Sequence, residues 1–307
     1  MGKVERRIKI LIILLILSIC GFSQKYKKNT WSHSLFLGGS NLLGDLGGGI
    51  SKGTIGIKDI DLRSTKTALG LGISYDKKFV SFTSNITLTR LVGNDKFSQS
   101  KSRSFRNLSV RTDIFELNVL GEVRPFERIP VLKGVYLFGG IGGVFFEPKA
   151  KLNDEWLKLR PLGTEGQLLD GSKPYGKFTL VIPYGAGYKF PLGELCSINL
   201  EIGLRKSFTD YLDDVSTVYA SSASLSETAA TLADRSGLSY GEGEMRGDND
   251  DEDNYFLLGL KFQRTITKKR TGCFFDEVTA RNRRITNKQK RRMFRRQFTS
   301  TIFKRLF

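Results

Sequence analysis

A single histidine, His33, stands between Ser32 and Ser34. Histidine beside serine suggests a hydroxyl nucleophile with its base, which a carboxylate would complete. The spacing argues against that chemistry. Neighbours in a strand point to opposite faces, so His33 shares a face with neither serine. A histidine at a strand end is the better reading. A second candidate is Asp248-Asn-Asp-Asp-Glu-Asp-Asn254. Carboxylates this dense suit calcium, which takes roughly six to eight oxygens. The glycine of an EF-hand loop is missing, so a solvated surface loop is expected. Gly38-Gly39 and Gly47-Gly48-Gly49 precede no helix with a phosphate-binding pattern. No cysteine–histidine cluster offers a zinc site. The expectation is a chain without catalytic residues, metal or cofactor.

The elements that hold these residues follow one rhythm. From Val80 to Leu88, Val80, Phe82, Ile86 and Leu88 fall on one face. Ser81, Thr83, Asn85, Thr87 and Thr89 fall on the other. That is a strand with one apolar and one polar side. Eight such stretches are expected: Trp31–Leu42, Thr65–Tyr75, Phe79–Leu91, Asn107–Arg124, Leu132–Phe146, Tyr175–Phe190, Leu195–Ser207 and Asn254–Ile266. Their connections alternate long and short. Asp76–Lys78, Pro125–Val131 and Pro191–Glu194 are short; Leu43–Ser64, Val92–Arg106, Glu147–Pro174 and Phe208–Asp253 are long. This is the pattern of an eight-stranded antiparallel outer-membrane β-barrel, with short periplasmic turns and long outward loops. A soluble sandwich has no reason to sort its loops in this way. The fold class is therefore all-β and transmembrane, with both termini in the periplasm.

Alternation also separates lipid from lumen. Phe178, Leu180, Ile182, Tyr184, Ala186, Tyr188 and Phe190 should face lipid. So should Ile198, Leu200, Ile202, Leu204, Phe256, Leu258, Leu260 and Phe262. Glu116, Asn118, Glu122, Asn199, Glu201, Arg205 and Lys261 should face inward. Eight strands leave an interior that side chains can fill. Buried charges need partners, so Glu116, Glu122 and Glu201 are expected to pair with Arg205 and Lys261. The glycines Gly139, Gly140, Gly142 and Gly143 suggest a sharp curve in the fifth strand. Ala220–Ala233, rich in serine and alanine, reads as flexible.

The ends differ from the body. Lys3, Arg6 and Arg7 precede an almost wholly apolar run, Ile8–Cys20, then Gly21 and Ser23. Residues 1–23 thus read as a secretory signal peptide, the run being short for a span. Residues 24–266 form the barrel and 267–307 a basic periplasmic tail. Cys196 and Cys273 are expected to be free thiols. The tail carries +12 of the formal +18, from fourteen Lys and Arg against Asp276 and Glu277, leaving +6 for all that precedes it. Arg281, Arg283, Arg284, Arg291, Arg292, Arg295 and Arg296 crowd it, and Phe294, Phe298, Ile302 and Leu306 recur every fourth residue as one helical stripe. The plain reading is a disordered basic extension; a part-helical tail suits an anionic membrane surface or an acidic or hydrophobic protein partner. An exported segment should not meet nucleic acid.

Three strings carry a resemblance. Arg111-Thr-Asp-Ile-Phe-Glu-Leu-Asn-Val-Leu-Gly121 is the first. The second is Pro183-Tyr-Gly-Ala-Gly-Tyr188 with Phe190-Pro-Leu-Gly193. The most specific is Thr209-Asp-Tyr-Leu-Asp-Asp-Val-Ser216 with Tyr219 behind it. Together they resemble the PorG-like outer-membrane barrel of the type IX secretion system of Bacteroidota, over about Ser32 to Ile266. The resemblance implies an integral barrel that serves protein secretion and protein transport beside periplasmic secretion-ring proteins. It implies neither catalysis nor a cofactor. It carries over Thr209, Asp210, Tyr211, Asp213 and Asp214 as the family motif. From their place where the seventh strand leaves the membrane, the plain reading is a loop cap whose carboxylates are satisfied by nearby backbone amides and Arg205. A lipid-modifying enzyme barrel and a general membrane-stability or adhesion barrel are the rival readings.

Overall fold

Alternating apolar and polar residues make the β-strands of the body. The computed structural model describes residues 29–46, 62–98, 100–169, 173–238, 240–249 and 251–266. Strand β1 spans Thr30–Leu43, β2 Lys66–Lys77, β3 Val80–Asn94, β4 Ser109–Val123 and β5 Val135–Leu152. They are followed by β6 (Glu155–Lys158), β7 (Phe178–Pro191), β8 (Cys196–Ser207) and β9 (Asn254–Ile266). The order around the wall is β4-β3-β2-β1-β9-β8-β7-β5, all antiparallel, and β4 pairs with β5 to close the ring. Eight strands form the barrel; β6 only folds back on the end of β5. The signal segment 1–23 and the tail 267–307, with its arginines and its Phe294–Phe298 stripe, lie outside the described residues.

The wall separates two environments. Leu69, Leu71, Ile73, Phe82, Ile86, Leu88, Phe115, Leu117, Leu180, Leu200, Leu258 and Leu260 are all exposed on the outer side. Soluble monomers rarely expose contiguous apolar patches beyond a few hundred Å². A belt around a closed barrel is what acyl chains cover, because the ring pairs its own backbone groups. Phe256 departs from the expected lipid face: it is buried, near the long-loop end of β9. Inside, glycine pairs face each other across the ladder, Gly38↔Gly259 and Gly185↔Gly203. A Cβ on any of the four would lie within 3 Å of an aromatic ring, Phe36 over the first pair and Phe138 over the second. The glycines let those rings lie flat on the wall.

Several expectations are corrected. The fifth strand does not stop at Phe146 but runs on to Leu152. There Asn153 and Asp154, both at positive φ, turn it into β6. Its outward residues become charged beyond Phe145, so apolarity no longer marks the strand. Along the glycine run β5 keeps one register with β7, and between Val135 and Phe145 Gly140 and Ile141 lack a β7 partner while staying paired with β4. Pro183, which has no N–H to give, stands opposite that gap. Ala220–Ala233 is not featureless. It holds a 3₁₀ turn, Ser222–Ser224, and the whole of the helix Glu227–Ala233. Ser226 caps that helix, accepting from the Ala229 N–H, while Ala229, Leu232 and Ala233 are buried. Cys196 is disulfide-bonded rather than free, in keeping with export to an oxidising compartment.

Candidate functional site: the filled lumen and the mouth plug

Inward alternation on β4, β8 and β9 brings the lumen charges together. Lys261 Nζ lies 3.0 Å from Glu122 Oε1 and also contacts Glu201. Thr83 Oγ1 donates to Glu122 at 3.0 Å, and the Tyr136 hydroxyl donates to Glu201. Glu116, fully buried, accepts from the Tyr255 hydroxyl at 2.8 Å and from Asn118 Nδ2 at 2.5 Å. Arg205 Nε stands 3.5 Å from Glu116 Oε2, and its Nη1 donates to the Gly203 carbonyl at 2.8 Å. All five lumen residues thus meet in two adjoining networks. A cavity of about 30 Å³ remains beside Ser34, Asn85, Asn118, Arg205 and Lys261. That volume suits about two waters rather than a passage for solutes.

At the short-turn end, Asp76 holds the ends of the strands. Ser32 Oγ donates to Asp76 Oδ2 at 2.8 Å and Ser81 Oγ to Oδ1 at 2.6 Å; Arg124 lies 3.6 Å away. This serine–carboxylate pair faces inward. His33 is exposed on the outer face between Trp31 and Leu35, so the structure does not bring it to either serine. Among the described residues, no three His, Cys, Asp or Glu side chains are placed to hold a metal ion.

At the long-loop end, the Thr209–Ser216 string turns inward and plugs the mouth. Leu212 is fully buried in a cluster with Leu42, Leu91, Ile114, Val144, Phe146, Val181 and Tyr255. Val215 joins a second cluster with Leu46, Leu108, Val110 and Leu232. Tyr211 stacks on Tyr175 at 4.5 Å, and Tyr175 stacks on Phe146 at 6.3 Å. Asp213 accepts from the backbone N–H of Leu46 at 3.1 Å and of Val215 at 3.0 Å. Asp214, held at φ +64°, accepts from Thr164 Oγ1 at 2.6 Å and from the Tyr175 hydroxyl at 2.5 Å. Its cation is Arg246, 3.9 Å away, rather than Arg205, which is taken up by Glu116. The acidic stretch Asp248–Asn254 is only partly solvated. Asp253 is buried and accepts from the Leu212 N–H at 2.8 Å, tying β9 to the plug.

Two buried arginines complete the cap. Arg246 Nη1 lies 2.7 Å from Glu165 and donates to the Asp214 carbonyl at 2.6 Å. Glu165 in turn accepts from the N–H groups of Ser216 and Thr217 at 2.9 and 3.2 Å. Arg106 makes two bonds to Asp95, at 2.8 and 3.0 Å, and one to the Asp45 carbonyl at 2.7 Å. None of Arg106, Glu165 or Arg246 stands out in the sequence, because their partners lie up to 140 residues away. Burial dominates the carboxylates. It pushes Asp210 up to about 9, aided by the charges of Asp213 and Asp45. It pushes Asp214 up to about 6 against the pull of Arg246. Asp213 and Asp253 are raised by the same burial, and by their neighbouring carboxylates.

No protein-family model matches the chain, and no curated protein does. Solved structures similar to it include Ail, the attachment invasion locus protein of Yersinia pestis. The identity is 11% and the TM-score 0.38, over 78% of this chain and 100% of that one. Neisserial surface protein A is 5% identical, with a TM-score of 0.31, over 78% of this chain and 96% of that one. Acinetobacter baumannii CarO2 is 10% identical, with a TM-score of 0.32, over 77% of this chain and 100% of that one. Likeness at this level concerns the fold alone.

Proposed function

We propose that this protein is a non-enzymatic outer-membrane barrel of the type IX protein secretion system, associating with periplasmic ring proteins. One observation supports the reading above the others. The Thr209–Ser216 string that carries the resemblance is the element that plugs the barrel mouth, with Leu212 and Val215 fully buried. A barrel sealed there, and filled below by Glu116, Glu122, Glu201, Arg205 and Lys261, is suited to assembly rather than conduction. Contact with the ring then belongs to the periplasmic side, where the basic tail 267–307 is the docking element. Its arginines meet an acidic partner and its Phe294–Phe298 stripe an apolar one.

The test is affinity purification from the native envelope, with and without the tail. Deletion after Thr267 should leave the barrel inserted and heat-modifiable, while ring proteins and secretion are lost. Reversal of Arg291, Arg292, Arg295 and Arg296 to Glu should reproduce the loss. Unchanged co-purification and full secretion would sink the reading.

The adhesion or membrane-stability reading has one observation in its favour. The long-loop cap is built on buried ion pairs, and exposes Phe105, Trp156, Leu238 and Met245. It predicts that loop substitutions, not tail deletion, abolish function. For the lipid-modifying reading, His33→Ala should leave lipid A acylation unchanged; an altered acylation pattern would revive it.

A further inference from the structure

Where the apolar belt ends on the long-loop side, charge begins in register. Leu88, Phe115 and Phe145 are cross-strand partners and the last fully exposed apolar residues of β3, β4 and β5 before charge begins; further along β3, the outward and half-buried Val92 stands opposite Arg111. The next outward row is Arg90↔Asp113↔Glu147. The row beyond it is Arg111↔Lys149↔Lys158, across β4, β5 and β6. Side-chain alternation keeps both rows on the outer wall, continuous with the belt.

Three cations directly opposite one another on adjacent strands repel. Two carboxylates offset part of this. Asp113 lies 2.6 Å from Arg90, 2.9 Å from Lys149 and 3.7 Å from Arg111. Glu147 lies 2.8 Å from Lys177, 3.0 Å from Lys158 and 3.9 Å from Lys149. Five cations thus share two carboxylates, which leaves +3. Further out, Lys151 and Asp154 pair with each other and add no net charge. The Arg111 Nε–H is buried and makes no hydrogen bond among the described residues. The Arg111 guanidinium sits 4.8 Å from the ring of Trp156, itself exposed.

Just past the hydrocarbon, a bilayer places its headgroups, and indole rings favour that level. Guanidinium and ammonium groups are the usual phosphate donors. We infer that Arg111, Lys149 and Lys158 seat the anionic phosphomonoester of a phosphorylated glycolipid headgroup, in the leaflet on the long-loop side. A lipid fits better than a free ion, because Leu88, Phe115 and Phe145 hold acyl chains directly beneath the row. The inference needs only the barrel's place in a bilayer and stands apart from the secretion reading.

The experiment uses the full chain folded into phosphatidylcholine vesicles. Three further preparations contain diphosphoryl lipid A, the same glycolipid dephosphorylated, or inorganic phosphate. The midpoint of heat unfolding, read by gel shift, should rise with diphosphoryl lipid A alone. The combined variant Arg111→Gln, Lys149→Gln and Lys158→Gln should lose the rise. Removing these repelling charges should not harm folding, and unchanged behaviour in plain phosphatidylcholine verifies that. Lys158→Gln alone, on the hairpin outside the barrel, should reduce the rise and serves if the triple variant fails to insert. Lys77→Gln with Arg128→Gln and Lys133→Gln removes equal charge at the opposite end and should keep the rise. The inference is overturned by equal midpoints with the two glycolipids, by an equal rise with inorganic phosphate, or by a rise that survives loss of the row. Ring co-purification is read separately, so either idea can fail alone.

Discussion

Arg246 and Glu165 lie 81 residues apart in sequence and 2.7 Å apart beneath the long-loop cap, both almost fully buried. The pair joins two long connections over the mouth. Glu165→Gln would leave Arg246 buried with Asp214 as its nearest carboxylate. Breaking a buried pair in this way costs roughly 3–5 kcal/mol. The cost should fall on the cap and not the wall. Hydrogen exchange at Ser216 and Thr217 should accelerate, while heat-modifiability of the barrel is kept. Unchanged exchange would mean that the pair does not hold the plug.

The cap should weaken as pH rises. Asp214 and Asp210 are raised from 3.8 to about 6 and about 9 in the folded protein. Folding therefore favours their protonated forms, and stability falls wherever the unfolded chain binds fewer protons. The contribution is complete below about pH 4. Asp214 loses it as pH passes about 6, and Asp210 goes on losing it towards about 9. Asp210→Asn mimics the protonated acid, so it should protect the cap from protease at pH 8 and change little at pH 4. Equal protection at both values would refute the assignment.

Depth in the bilayer separates two neighbours on β8. Leu200 is exposed on the lipid side, and Asn199 is buried in the lumen. Leu200→Arg should cost roughly 2–4 kcal/mol, as for a cation near the midplane. Asn199→Ala removes a 3.3 Å bond to Gln263 and a hydrogen bond with Tyr136, and should cost less. Urea titration of the folded and unfolded bands compares them directly.

Topology is open to labelling. Ser222 lies in a long connection and Lys77 beside a short turn, and both are exposed. A cysteine at Ser222 should react with an impermeant reagent on intact cells, and one at Lys77 should not. The opposite result would reverse the barrel in the membrane.

The strands and their two faces were legible in the sequence because a period of two is a local property. A residue's parity fixes its side of the wall wherever one side meets lipid, and so Glu116, Glu122, Glu201, Arg205 and Lys261 could be placed inside from alternation alone. The extension of β5 was hidden, since above the bilayer its outward positions are charged and the apolar signal stops. The plug was hidden for a different reason. Leu212, Val215, Asp253, Arg106 and Arg246 lie in connections without period, and their partners are brought in by closure of the ring. Only the folded barrel decides that Arg205 belongs to Glu116 and Arg246 to Asp214. The register of β3 to β6 likewise turns scattered basic residues into one row above the belt, because cross-strand distance, not sequence distance, sets which charges meet.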